Sequence, residues 1–255
     1  MKPRALAVYA FLLGVKAVSR LFFRHEMHWV NEPPDDVWER VRVGALLNHT
    51  SLFELVFAGS VPRGFLKKLA TDGAVPIADV TLQRPIAGLF FRSVAGQVIA
   101  ITRKRDASWK ALLESIRPGS MIVLMPEGRM MRRGGLDKYG KPMTVRGGIA
   151  DVIEHSGEGY LVIAYSGGLH HVQAPGDRFP RLFKQVRMNL EWLDIAEYRA
   201  QLEADTTCRS LKRAVIKDLE RRRDLYCPAT PETGKPVTTA EFEKHAVGTD
   251  AVPGL

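Results

Sequence analysis

The stretch Val41-Arg42-Val43-Gly44-Ala45-Leu46-Leu47-Asn48-His49-Thr50-Ser51-Leu52-Phe53-Glu54 decides how the chain is read. Residues 41–47 form an apolar run of the length of a buried strand. An apolar run of helical length, residues 52–61, follows. A histidine therefore stands where a strand gives way to a helix, five positions ahead of a carboxylate. The loop exposes the imidazole and the helix start fixes its partner. That suits a general base, which is worth roughly 10²–10⁴-fold in a proton-transfer step. The same residues carry a simpler meaning: Ser51-Leu52-Phe53-Glu54 is S-x-x-E, a capping box in which serine and glutamate satisfy each other's amides. On this stretch alone the capping box is the better reading, with His49 an ordinary loop histidine. The remainder of the chain shifts that balance.

Downstream, residues 84–95 read as an apolar helix and Gly96 to Arg103 as a strand ending on an arginine. A helix from Trp109 is stopped by Pro118-Gly119, and residues 121–125 form a buried strand running straight into Pro126-Glu127-Gly128-Arg129. A polar, Gly-rich loop leads to a helix around residues 149–155. Strands at 160–164 and 186–190 follow, then a basic helix over 207–223. Strands alternating with helices predict an α/β fold, with a mixed, largely parallel sheet flanked by helices. Beyond Cys227, Pro, Thr and Gly dominate without apolar period, which predicts a disordered tail over 227–255. The α/β domain is expected over 37–226, preceded by an N-terminal amphipathic, membrane-interface helix over 1–30.

Residues 5–23 are strongly apolar and admit three readings: signal peptide, membrane span, or a helix lying in the membrane interface. Lys16 and Arg20 follow the apolar run at once, with no small-residue cleavage site. The uninterrupted run, 11 residues from position 5 to 15, is short against the ~20 a span needs. About ten Leu, Phe and Val residues gain roughly 3–6 kcal/mol, and two central basic residues cost roughly 5–7. Lys16, Arg20 and Arg24 recur every fourth position as one basic stripe, opposite Phe11, Leu12, Val15, Val18 and Phe22. This favours an in-plane helix on an anionic bilayer, with an amphipathic helix packed on the core as its rival.

The 255 residues include 37 Lys and Arg against 28 Asp and Glu, a formal charge of +9, which predicts an anionic partner without choosing among nucleic acid, lipid and acidic carrier. Two cysteines, Cys208 and Cys227, are too few for a disulfide framework or zinc site, so a reducing, cytosolic-side location is expected.

Four motifs compete for the chemistry. Gly135 to Lys141 imitates a phosphate loop, but Pro142 replaces the metal-binding hydroxyl. Ala164-Tyr165-Ser166-Gly167-Gly168 resembles a nucleophile elbow, which keeps a serine hydrolase using Ser166 as an alternative, although no helix follows the serine. His25-Glu26-Met27-His28 lacks metal-ligand spacing, and neither cofactor nor metal is called for. The fourth is a constellation at strand ends, where open α/β sheets bind ligands: His49 with Glu54, Arg103, and Glu127-Gly128-Arg129. A base, its orienting carboxylate, an anion-binding arginine and a Gly-rich turn suit acyl transfer to a hydroxyl. Amides at the helix start would serve as oxyanion donors.

These blocks, in this order, resemble the glycerolipid acyltransferases, the 1-acylglycerol-3-phosphate acyltransferase family, across residues 41–190. Its N-H-x-x-x-x-D is matched by Asn48-His49 and Glu54, and its G-x-x-F-I-x-R by Gly96 to Arg103. Its F-P-E-G-T-R-S is matched by Met125-Pro126-Glu127-Gly128, and its V-I-P-V by Leu161 to Ala164. Arg146-Gly147-Gly148 stands where the family has a basic residue and glycine. The chain departs from the pattern at Glu54, which replaces aspartate, at Arg129-Met130-Met131, which replaces Thr-Arg-Ser, and in the missing proline of the last block. The resemblance implies a membrane-surface O-acyltransferase of phospholipid synthesis. His49 and Glu54 would be catalytic, and Arg103, Glu127, Gly128 and Arg129 would bind substrate. The donor would be acyl-CoA or acyl carrier protein and the acceptor a lysolipid, at the cytoplasmic face of an anionic membrane and with no nucleic acid partner. A non-catalytic lipid-binding protein on the same scaffold is the remaining alternative.

Overall fold

The structure, a computed structural model, describes residues 1–83, 85–102, 105–133, 135–204 and 207–229. The expected tail falls outside the described residues from position 230 on. In chain order the strands are β1 (Arg24–Trp29), β2 (Val41–Leu47), β3 (Gly73–Ala78), β4 (Gln97–Ile101), β5 (Met121–Leu124), β6 (Tyr160–Ser166) and β7 (Gln185–Asp194). The helices are α1 (Pro3–Phe22), α2 (Val37–Arg40), α3 (Arg63–Thr71), α4 (Asp79–Leu82), α5 (Pro85–Arg92), α6 (Ala107–Glu114), α7 (Gly148–Ser156), α8 (Ile195–Ala204) and α9 (Leu211–Tyr226), with a 3₁₀ helix at Leu52–Gly59.

The strands form one sheet in the order β1-β7-β6-β2-β5-β3-β4. Among the described strands of this sheet, β6–β7 is the one antiparallel pairing, so the fold is the mixed, largely parallel α/β sheet expected. Successive residues of β6 feed opposite faces, as a strand's twofold period demands. Val162 joins a core with α1, the 3₁₀ helix and α3, while Leu161 and Ile163 join a second core under α7, α8 and α9. In β2 a register shift between Val41 and Val43 sends Val41 to the first core and Val43, Ala45 and Leu47 to the second. Pro76 sits inside β3 beyond the point where β5 stops pairing, so its missing N–H costs no ladder bond on that side.

The N-terminal helix is present as expected, but its basic stripe does not run along an outer face. Arg24 lies in β1, not in the helix, and residues 24–29 belong to the sheet. α1 continues past Val15, so its 20 residues are long and apolar enough, by length and composition, to cross a membrane. One face nonetheless packs along the body through Val8, Leu12, Lys16 and Ser19. Lys16 is only 7% exposed, and its ammonium donates to the carbonyls of Ala58 (3.3 Å), Gly59 (2.9 Å) and Val61. Arg20 Nε donates to Gly59 O (2.9 Å) and Ser19 Oγ to Val56 O (2.6 Å). The basic stripe thus turns inward and caps the C-terminal carbonyls of the 3₁₀ helix, where cations are favoured. Leu6, Val18 and Leu21 are left exposed on the other side. The close approach also explains a glycine. A Cβ on Gly59 would lie 2.3 Å from His25 Nε2, the ring that bridges Ser19 Oγ and Ser60 Oγ at 2.9 Å each.

Candidate active site

His49 sits one residue past the turn that ends β2, and that turn has an unusual backbone. Asn48 has φ +62°, a left-handed conformation in which asparagine is among the few tolerated non-glycine residues. Its Nδ2 donates to Ser166 O (2.7 Å), tying the turn to the end of the neighbouring β6. The asparagine before the histidine therefore has a backbone reason: it reverses the chain so that the next residue leaves the sheet edge.

Glu54 does two things at once. Its Oε1 accepts from the amides of Thr50 (2.7 Å) and Ser51 (3.1 Å), while Ser51 Oγ accepts from Phe53 N (3.0 Å), which completes a capping box. Its Oε2 is paired with His49 Nδ1. The two meanings of the S-x-x-E stretch are thus both realised, one on each carboxylate oxygen. A carboxylate acceptor at Nδ1 favours the tautomer with the ring proton there and the lone pair on Nε2. No described residue bonds Nε2. The His49 side chain is 11% exposed, so it is largely withdrawn from water without being sealed.

Glu127 was expected beside substrate, and the structure places it beneath the histidine loop. It is 2% exposed; its Oε2 accepts from His49 N (2.8 Å) and its Oε1 from Asn48 N (3.3 Å) and from Arg223 Nη1 (3.4 Å) of α9. Burial pushes its carboxyl pKa upward against the opposing pull of those amides and of Arg223. It ties down the Asn48 and His49 amides of the turn. Arg223 also donates to Met143 O (3.1 Å), so part of the basic helix read from sequence faces the site's underside.

Gly128 turns the chain at the end of β5 with φ +65°, its amide returning to Met125 O (2.9 Å). Arg129 is ion-paired with Asp137 and stacks over Tyr139 at 5.1 Å. The segment after it folds back over the histidine, with Met131 N donating to His49 O (2.7 Å). Arg146 is exposed, forms no ion pair among the described residues, and passes Gly128 so closely that a Cβ there would lie 3.8 Å from its Cγ. Arg103 lies outside the described residues. The oxyanion donors expected at the helix start are occupied, since the amides of Thr50, Ser51 and Phe53 all serve the cap.

Ser166 is fully buried. Its Oγ accepts from Gly168 N (3.0 Å), its carbonyl holds Asn48, and a loop follows it. This is a floor residue of the histidine turn, without an exposed elbow and, among the described residues, without the histidine partner of a nucleophilic serine.

No protein-family model matches the chain, and no curated protein matches it by sequence. Among solved structures the fold is similar to that of the 1-acyl-sn-glycerophosphate (LPA) acyltransferase PlsC from Thermotoga maritima. The TM-score is 0.55 at 16% sequence identity, with 89% of this chain and 85% of that chain covered. The likeness spans nearly the whole of both chains and carries the architecture.

Proposed function

We propose that this protein is a membrane-surface O-acyltransferase of glycerolipid synthesis. It would move a fatty acyl group from an acyl-CoA or acyl-carrier-protein thioester to a hydroxyl of a lysophospholipid-type acceptor. The observation that carries the reading is the His49–Glu54 pair, buried at the strand edge with Nε2 open. His49 Nε2 takes the proton of the acceptor hydroxyl as that oxygen attacks the thioester carbonyl. Glu54 fixes the tautomer and offsets the imidazolium charge. Collapse of the tetrahedral intermediate expels the thiolate, which recovers the proton from His49, so no covalent enzyme intermediate is needed. The amides of Arg129 and Met130 have no acceptor among the described residues and lie next to the Gly128 turn, so they are the donors assigned to the oxyanion. Arg146 supplies the nearby cation for an anionic group on donor or acceptor, and Arg103 keeps the same role as a proposal from sequence. The likeness to an acyltransferase fold and the excess of positive charge, which suits acidic donors and anionic lipid, support this assignment.

The test is an acyl-transfer assay of wild type and His49→Ala, offering labelled acyl-CoA and acyl carrier protein against a panel of lysolipids. Product that depends on His49 is expected. Turnover unaffected by the substitution, or a folded wild type inert across the panel, would remove the proposal in favour of a lipid-binding protein on this scaffold.

A further inference from the structure

The loop between β6 and β7 ends in Arg178-Phe179-Pro180-Arg181-Leu182-Phe183-Lys184, a segment to which the acyltransferase motifs assign nothing. Three of its apolar side chains face solvent: Phe179 is 74% exposed, Phe183 66%, and Leu182 less so. Two aromatic rings left in water on one short loop are costly unless something covers them. The exposure is also built in. Phe183 has φ +59°, an outlier for a bulky residue, and its amide is held by Phe22 O (2.7 Å). The strain is maintained by neighbouring structure and keeps the tip turned out.

The loop is continuous with the exposed apolar face of α1. The Phe22 and Phe183 rings lie 5.9 Å apart, and Arg24 N donates to Lys184 O (3.1 Å). Leu21 and Val18, both exposed, sit beside this junction at the end of α1. Cations are interleaved with the apolar tips. The Arg178 guanidinium lies 5.8 Å from the Phe179 ring, Arg181 is a distant partner of Asp177 (3.8 Å), and Lys184 is exposed. Asp177 is the one opposing charge in the group and is shared with Arg133 (3.8 Å). Register places the patch on the catalytic edge. Ser166 pairs with Met188, so residues 178–184 precede β7 at the same sheet edge where β2 delivers His49.

We propose that residues 178–184 form a second lipid-contact element that wedges Phe179, Leu182 and Phe183 into the surface of an anionic bilayer. With α1 it makes a two-point footprint that orients His49 toward the membrane. Apolar tips with flanking Arg and Lys are what an interface of acyl chains under anionic headgroups accommodates. A protein partner or a second copy would not require the cations. The orienting consequence rests on the acyltransferase reading; the binding itself does not.

The experiment uses the full chain and reads binding without turnover, on wild-type and His49→Ala backgrounds, so failure of the acyltransferase assay leaves it intact. Phe179→Trp, read as a difference from wild type, is expected to shift its emission to the blue and to be quenched by brominated acyl chains on phosphatidylcholine–phosphatidylglycerol vesicles. The combined variant Phe179→Ser, Leu182→Ser, Phe183→Asn should lower vesicle affinity at least about tenfold. Asn is used at 183 because it accepts the left-handed backbone. Arg178→Gln with Lys184→Gln should cost roughly fivefold per charge on phosphatidylglycerol vesicles and little on pure phosphatidylcholine. Protein that sediments with vesicles while the tryptophan at 179 stays unquenched overturns the proposal, as does wild-type affinity in the combined variant. A blue shift that grows with protein concentration in the absence of lipid also overturns it, and would assign the patch to self-association.

Discussion

The two ends of the 3₁₀ helix at Leu52–Gly59 are built from the same kinds of group toward opposite ends. At its start, Glu54 satisfies two amides and holds an imidazole whose second nitrogen stays open. At its finish, Lys16, Ser19 and Arg20 close the exposed carbonyls completely, from a helix more than thirty residues earlier in the chain. One end is poised and the other locked. The contrast teaches that one terminus of a short helix can leave a side-chain nitrogen unbonded where the opposite terminus is tied down by several donors. A short 3₁₀ segment has little stability of its own, so this one is held from outside, by α1.

Four outcomes would break or sharpen this contrast. The largest belongs to Glu54. Glu54→Gln keeps a carbonyl for the cap but loses the charge and the fixed tautomer, so kcat should fall about 10²–10⁴-fold with stability changed by only ~1 kcal/mol. Paired kinetics and urea melts check this, and a variant that loses stability but keeps its rate would mean that Glu54 is only a cap. Lys16→Met should show the reverse, a loss of roughly 2–5 kcal/mol from stranded buried carbonyls with a smaller effect on rate. Lys16→Arg should recover part of that stability. Near-wild-type melting of Lys16→Met would show that the far end is not locked by its ammonium.

Asn48 separates backbone strain from side-chain tethering. Asn48→Ala should cost about 1–2 kcal/mol for the left-handed turn and about 1 more for the lost bond to Ser166 O, whereas Asn48→Gly should lose only the second part. Equal melting of the two variants would remove the conformational argument for this asparagine. The smallest effect concerns the segment that covers His49. Asp137 is held down to about 2, first by the Lys141 amide and also by Arg129 and the Tyr139 amide. Its folded value lies below its ordinary 3.8, so the folded protein binds fewer protons there than the unfolded chain. The stability it contributes is full above about pH 4 and is lost as pH falls toward 2. The melting difference between wild type and Asp137→Asn should therefore shrink across that window.

Much of the sheet was legible because β2, β4, β5 and β6 are largely apolar runs, and because Val186, Met188 and Leu190 alternate with polar residues in β7. β1 was not, because Arg24-His25-Glu26-Met27-His28-Trp29 is an edge strand whose charged residues hide it. Its pairing with β7 comes from contacts over more than 150 residues of sequence. β3 was hidden by Pro76, whose tolerance depends on where β5 stops. At the site, the spacing of His49 and Glu54 was readable, because both lie within one turn of chain. The inward role of Glu127 was not, since its partners are amides some eighty residues away.

The sequence by itself determined what is local: the strand that delivers His49, the capping box, the turn at Gly128 and the apolar character of α1. These depend on periodicity, capping and backbone preference over a few residues. Tertiary structure alone decided which way the polar groups face. It turned Lys16 and Arg20 inward, buried Glu127 under the histidine turn, sealed Ser166, and left Phe179 and Phe183 in solvent beside Leu21. The physical reason is that a charge or a ring has no intrinsic inside or outside. Its direction follows from the carbonyls, amides and apolar surface that distant segments bring to it, and those partners exist only once the sheet has formed.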